Sequence, residues 1–141
     1  MTIDLLYEMA RAKGIHIHNY RFNKLVSMST VDNIGIDKRK IKTSREHKTI
    51  IAHEIGHCTT GSFYNLKSKF ETIERMEYRA NRWAVEQLIP FDKYYQALTA
   101  GITEIWQLAE HFEVTEEFMQ KTAQLYEAKV LEHYEKQNDA G

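Results

Sequence analysis

A single cysteine, Cys58, stands in a chain of 141 residues. One cysteine cannot form an internal disulfide, so nothing asks for an oxidising compartment and a reducing cytoplasm is the expected location. No run of about 18 apolar residues occurs, which excludes a membrane-spanning helix. The N-terminal apolar residues Ile3, Leu5, Leu6, Met9 and Ala10 are interrupted by Asp4, Glu8 and Arg11, so the continuous apolar region of a secretion signal is missing too. Charge of one sign is equally scarce. The formal net charge is -1, and the overall basic signature of a nucleic-acid binder is absent. The balance is uneven along the chain, however. Residues 101–141 carry nine acids against Lys121, Lys129 and Lys136, a net of −6, which leaves +5 for the rest.

The length suits one compact domain better than two. Apolar spacing predicts a helix over residues 2–13, stopped at Gly14. Residues 15–37 alternate with period two, as in Ile15 and Ile17 against His16 and His18, which predicts short strands with Asp32-Asn33 turning between the second and third. The basic run Lys38, Arg39, Lys40 and Lys42 reads as a solvated connection. Ser44 is a reasonable N-cap for a helix to Thr60, stopped by Gly61. A helix over 71–89 is closed by Pro90, the only proline. Residues 91–100, 103–111 and 115–137 read as three more helices. The expected fold is therefore a mainly helical α+β domain. Residues 1–43 form a helix and a small antiparallel or mixed sheet, 44–90 the two helices discussed next, and 91–141 a helical C-terminal region.

The segment His53-Glu54-Ile55-Gly56-His57 carries the chemistry. In a helix, His53 and His57 lie about 40° apart on one face and one turn apart along the axis, so both imidazoles can reach one metal ion. Glu54 lies about 100° round from His53, placed to act on a bound water without being a ligand. Ile51, Ile55 and Cys58 form an apolar back, which must be buried. Gly56 costs about 1 kcal/mol relative to alanine inside a helix, which implies a close approach by a neighbouring element.

A hydrolytic zinc site needs three protein ligands and an open position. The three-histidine version of the motif is excluded, because Thr60 and Phe63 occupy its required positions. Among Glu71, Glu74, Glu77 and Glu86 on the next helix, Glu77 alone sits at the centre of the stripe formed by Ile73, Ala80, Ala84 and Leu88. A carboxylate buried there is costly unless it is paired or bound to a cation. Asn81, one turn on, points the same way and is placed to hold a ligand through a hydrogen bond.

Taken together, His-Glu-Ile-Gly-His and the later run Glu77-Tyr-Arg-Ala80-Asn81-Arg-Trp83-Ala84, ending at Leu88-Ile89-Pro90, resemble the ImmA/IrrE family of zinc metallopeptidases. The match is close over residues 50–90, with Trp83 where the family usually has phenylalanine. The resemblance implies a gluzincin-like, zincin-type active helix with Zn2+ on His53, His57 and Glu77, and Glu54 as general base. It also implies a role as an anti-repressor of a phage or mobile element, in which the substrate is a partner helix-turn-helix repressor. Tyr64, Tyr94 and Tyr95 are alternative oxyanion donors. An extended substrate is expected to pair with the strand around Ile34–Asp37 or its neighbour. His16, His18, His47, His111 and His133 read as surface residues, and Cys58 as packing. The alternative function is a non-proteolytic repressor- or DNA-binding regulator using the C-terminal helices. Residues 108–118 resemble a helix-turn-helix core, but Glu116-Glu117 would repel phosphate, so nucleic acid is not expected as a partner.

Overall fold

A computed structural model describes residues 1–140, which fall into two compact units that divide after Leu88. The architecture is mainly helical α+β, with six α-helices and a three-stranded mixed sheet among the described residues.

In the first unit, α1 (Ile3–Ala12) is capped by the Thr2 hydroxyl, which accepts from the Leu5 N–H. It buries Leu6 and Ala10, one turn apart, and Gly14 leaves the helix in the left-handed region at φ 75. The strands β1 (His16–Asn19), β2 (Ser27–Ser29) and β3 (Asn33–Ile36) form a sheet in the order β1-β3-β2. β3 runs parallel to β1 and antiparallel to β2, with Ile34 opposite Ile17 and Ser29. It is thus the central strand and has no free edge, so of the two strands considered for substrate pairing only its neighbour remains open. Asn33, expected in the turn, is the first residue of β3 instead. Ile34 and Ile36 are fully buried, and helix α2 packs against both β2 and β3.

The basic run is not a simple solvated connection. Asp37 is buried and takes two hydrogen bonds from the Arg39 guanidinium, at 2.9 and 2.7 Å, one from the Arg39 N–H and one from the Phe22 N–H. Lys40 Nζ donates to the carbonyls of Phe22, Asn23 and Leu25. The run, a 3-10 turn over Lys38–Lys40, thereby ties down the loop that leads into β2. Its role could not be read locally, because every one of those carbonyls lies at least 15 residues away.

Helix α2 (Ser44–Thr60) starts one residue earlier than Ser44 as cap would require. Thr43 is the N-cap, and its hydroxyl accepts from the Glu46 N–H while Glu46 accepts from the Lys42 N–H. Gly61 ends the helix at φ 65, a conformation that favours glycine. Helix α3 (Phe70–Leu88) packs along α2. The reason for Gly56 lies at their crossing, because a Cβ there would sit 2.6 Å from the Ala80 carbonyl oxygen.

The second unit holds α4 (Phe91–Thr99), α5 (Ile105–Phe112) and α6 (Glu116–Ala140). Leu108, Val114, Met119 and Thr122 are buried, and the Tyr126 hydroxyl donates to the Ile89 carbonyl at 2.7 Å. Between α5 and α6 the chain turns through Glu113, the one non-glycine residue at positive φ among those described.

Candidate metal centre

Two helices build the site. Helix α2 supplies His53 and His57 one turn apart, and α3, held close by the Gly56–Ala80 contact, supplies Glu77. His53 Nε2 lies 2.9 Å from Glu77 Oε2, His57 Nε2 lies 3.0 Å from Glu77 Oε1, and the two Nε2 atoms are 3.1 Å apart. Among the described residues this is the group of ligand-type side chains placed to hold a metal ion. Glu71, Glu74 and Glu86 are exposed.

The hydrogen bonds behind the imidazoles decide what faces inward. His53 Nδ1 is 2.8 Å from Asn81 Oδ1, and His57 Nδ1 contacts the Ser62 carbonyl. Both partners are acceptors, so each Nδ1 carries a proton and a neutral ring turns a bare Nε2 lone pair toward the other ligands. Two such lone pairs and a carboxylate converge on one point. Without a cation that arrangement is repulsive unless an imidazole takes up a proton. Donors of a tetrahedral zinc site stand roughly 3.3 Å apart for bonds near 2.0 Å, so the observed spacing fits this ion with a small expansion. Burial disfavours a charged His57, but the Glu77 carboxylate and Ser62 carbonyl outweigh it and raise its pKa. Burial likewise works against the Glu77 carboxylate, yet the imidazoles of His53 and His57, where protonated on Nε2, and the Tyr64 hydroxyl donate to it and hold its pKa well below the usual range.

Glu54 is buried beside this centre. Burial raises its pKa, against the pull of the two imidazoles and a Ser27 hydrogen bond, and the Ser29 hydroxyl donates to Oε1 at a long 3.5 Å. Both serines come from β2, whose alternation turns them to the same side. The strand thus meets the acid that the helix presents.

Tyr64 is the tyrosine that the structure brings to this centre. Its hydroxyl donates to Glu77 Oε1 at 2.6 Å, and that bond, with burial, pushes its pKa up to about 12. Tyr94 packs on Tyr126, and Tyr95 donates to Gln137, both within the second unit. The Ser62 carbonyl went unforeseen, since a backbone acceptor leaves no mark on residue type. Cys58 is half-buried, with Sγ 3.2 Å from the Thr30 carbonyl, and its pKa is pushed up to about 11, mainly by burial. That is the setting of a packing thiol rather than a reactive one.

Of the remaining histidines, His16, His18, His111 and His133 are exposed as expected. His47 is not. It is half-buried against Tyr7, Nε2 to hydroxyl 3.0 Å, and burial followed by the Lys38 charge lowers its pKa. Helix α1 covers this part of α2, which the angle along α2 alone could not reveal.

A cavity of about 380 Å³ opens over the centre, between β2 and the 62–66 segment. No helix among the described residues is long and apolar enough to cross a membrane. The sequence profile described as the IrrE N-terminal-like domain, of a peptidase family, matches residues 4–124. No curated protein and no solved structure matches the chain significantly.

Proposed function

The chain belongs to the peptidase family of the IrrE N-terminal-like domain, and from that premise we propose that it is a zinc-dependent endopeptidase of the cytoplasm. His53, His57 and Glu77 hold the zinc and Glu54 is the general base. The observation that carries this reading is the convergence of two Nε2 lone pairs and one carboxylate within 3.1 Å of one another, each imidazole locked from behind. Zinc held by these three residues would supply Lewis acidity, activating a water molecule and polarising a scissile carbonyl. Glu54 takes the water proton on its carboxylate and delivers it to the departing amine. Asn81 and the Ser62 carbonyl keep the rings aimed. Tyr64 is the candidate hydroxyl donor to the developing oxyanion.

The substrate binds as an added strand along β2, whose outer edge is unpaired and whose residues line the cavity. We take the substrate to be a helix-turn-helix repressor of a phage or mobile element, on the strength of the family resemblance. The test pairs elemental analysis for zinc with cleavage of a candidate repressor by wild type and Glu54→Gln. Retained zinc with lost cleavage supports the mechanism; a Glu54→Gln protein as active as wild type refutes it.

One observation favours a second reading, a non-proteolytic regulator. Helix α5, the left-handed turn at Glu113 and α6 follow one another as in a helix-turn-helix. Glu116 and Glu117 open α6 and are exposed, which suits a basic protein partner better than phosphate. Salt-dependent gel-shift binding to DNA would favour the DNA-binding form of this reading.

A further inference from the structure

The cavity over the metal centre has no charged wall apart from the centre and Glu54, and we propose that it selects an uncharged, apolar substrate side chain beside the scissile bond, with Leu25, Phe63 and Leu66 setting that preference. This rests on the peptidase reading and adds the chemical class of the substrate.

Three observations carry it. First, no lysine, arginine or aspartate lines the cavity, and the two carboxylates present, Glu54 and Glu77, are engaged at the centre. A charged side chain entering would lose water and meet no partner, which is unfavourable. Second, beside the polar Ser27, Ser29, Tyr64 and Asn65, the cavity is lined by large apolar side chains, of which Leu25 and Leu66 are exposed in the free protein. Leu66 is 105% exposed and Leu25 47% exposed, so neither owes its place to the protein's own core. Large apolar residues gathered around a cleft mark a contact surface. Third, two of these walls, Phe63 and Leu25, are positioned. The Phe63 ring stacks beside His57, centroids 6.5 Å apart, and the Leu25 carbonyl is held by Lys40 at 2.9 Å. A volume of about 380 Å³ accommodates an apolar side chain together with its flanking backbone.

The experiment has a cleavage arm and a binding arm. In the first, zinc-loaded wild type digests a proteome-derived peptide library, and mass spectrometry reads the residues flanking each cut. Leucine, methionine or phenylalanine at one flanking position should exceed aspartate, glutamate and lysine by about tenfold or more. The Leu25→Arg, Leu66→Arg double variant, with zinc content unchanged, should shift that position toward acidic residues. Cleavage indifferent to the flanking residue overturns the inference and leaves the peptidase reading standing. In the second arm, fluorescein-labelled Gly-Ser-Asn peptides with one leucine, aspartate or lysine guest are titrated against zinc-loaded Glu54→Gln protein by anisotropy. Binding of the leucine peptide about tenfold tighter supports the inference, and equal affinities overturn it, even where wild type cleaves nothing and the peptidase reading itself has failed.

Discussion

Gly56→Ala tests the geometry that brings together the two helices of the candidate metal centre. By helix propensity alone the substitution should stabilise α2 by about 1 kcal/mol. The crossing reverses that expectation. The added Cβ would lie 2.6 Å from the Ala80 carbonyl oxygen and 3.2 Å from two further Ala80 backbone atoms, where ordinary contact begins at 3.4 Å. The obstacle is helix backbone, which cannot swing aside as a side-chain tip can, so α2 and α3 must separate by about 0.8 Å. Overpacking of this kind costs about 1–3 kcal/mol, giving a net loss of about 0–2 kcal/mol after the propensity gain. On the proposed zinc reading, the larger effect falls on metal affinity. Gly56 precedes His57 by one residue and Ala80 follows Glu77 by three, so the separation displaces Glu77 from the imidazoles. Metal–ligand distances tolerate only about 0.2 Å, and zinc affinity should fall at least about tenfold. Urea unfolding in chelator gives the stability change, and competition with a chromophoric chelator gives the affinity. Gly14→Ala is the control, since Gly14 lies at φ 75 in open space. It should lose about 1 kcal/mol and keep its zinc. A Gly56→Ala protein that gains stability and binds zinc as tightly as wild type would refute the reasoning.

Three further outcomes are expected. Asn81→Ala removes the acceptor that fixes His53 Nδ1 and should weaken zinc binding about 10–100-fold with little change in far-ultraviolet circular dichroism. Asp37 has its pKa lowered, mainly by the Arg39 hydrogen bond, so its contribution to stability is fully present above its unfolded pKa near 3.9 and is lost as pH falls through the lower folded value. Asp37→Asn should therefore be less stable than wild type at neutral pH and lose less on acidification, as read by thermal melts from pH 7 downward; identical pH dependences would contradict the pairing. Glu113→Gly relieves a left-handed residue at φ 55 and should stabilise the protein by about 0.5–1 kcal/mol in urea unfolding.

The helices and their stops were legible because their signals are local. Gly14, Gly61 and Pro90 interrupt the chain where the helices end, and period two marks all three strands. The strand order was not legible, since alternation says which residues share a face and nothing about which strand lies between the others. The Thr43 cap was missed by one residue because Thr43 and Ser44 are both good caps and only backbone conformation chooses between them.

The candidate site divides along the same line. Spacing within a single helix follows from its regular turn, so the sequence by itself determined that His53 and His57 share a face, that Glu54 stands beside them, and that Glu77 and Asn81 lie together on an apolar stripe. Tertiary structure alone decided how the two helices meet and what surrounds them. The Ala80 backbone fills the space left by Gly56, the Ser62 carbonyl accepts a hydrogen bond from His57 Nδ1, β2 brings two serines to Glu54, Tyr64 reaches Glu77, and Tyr7 covers His47. The physical reason is that a helix repeats its own geometry whatever lies around it, whereas a contact between elements depends on loops and packing that no single stretch of chain encodes.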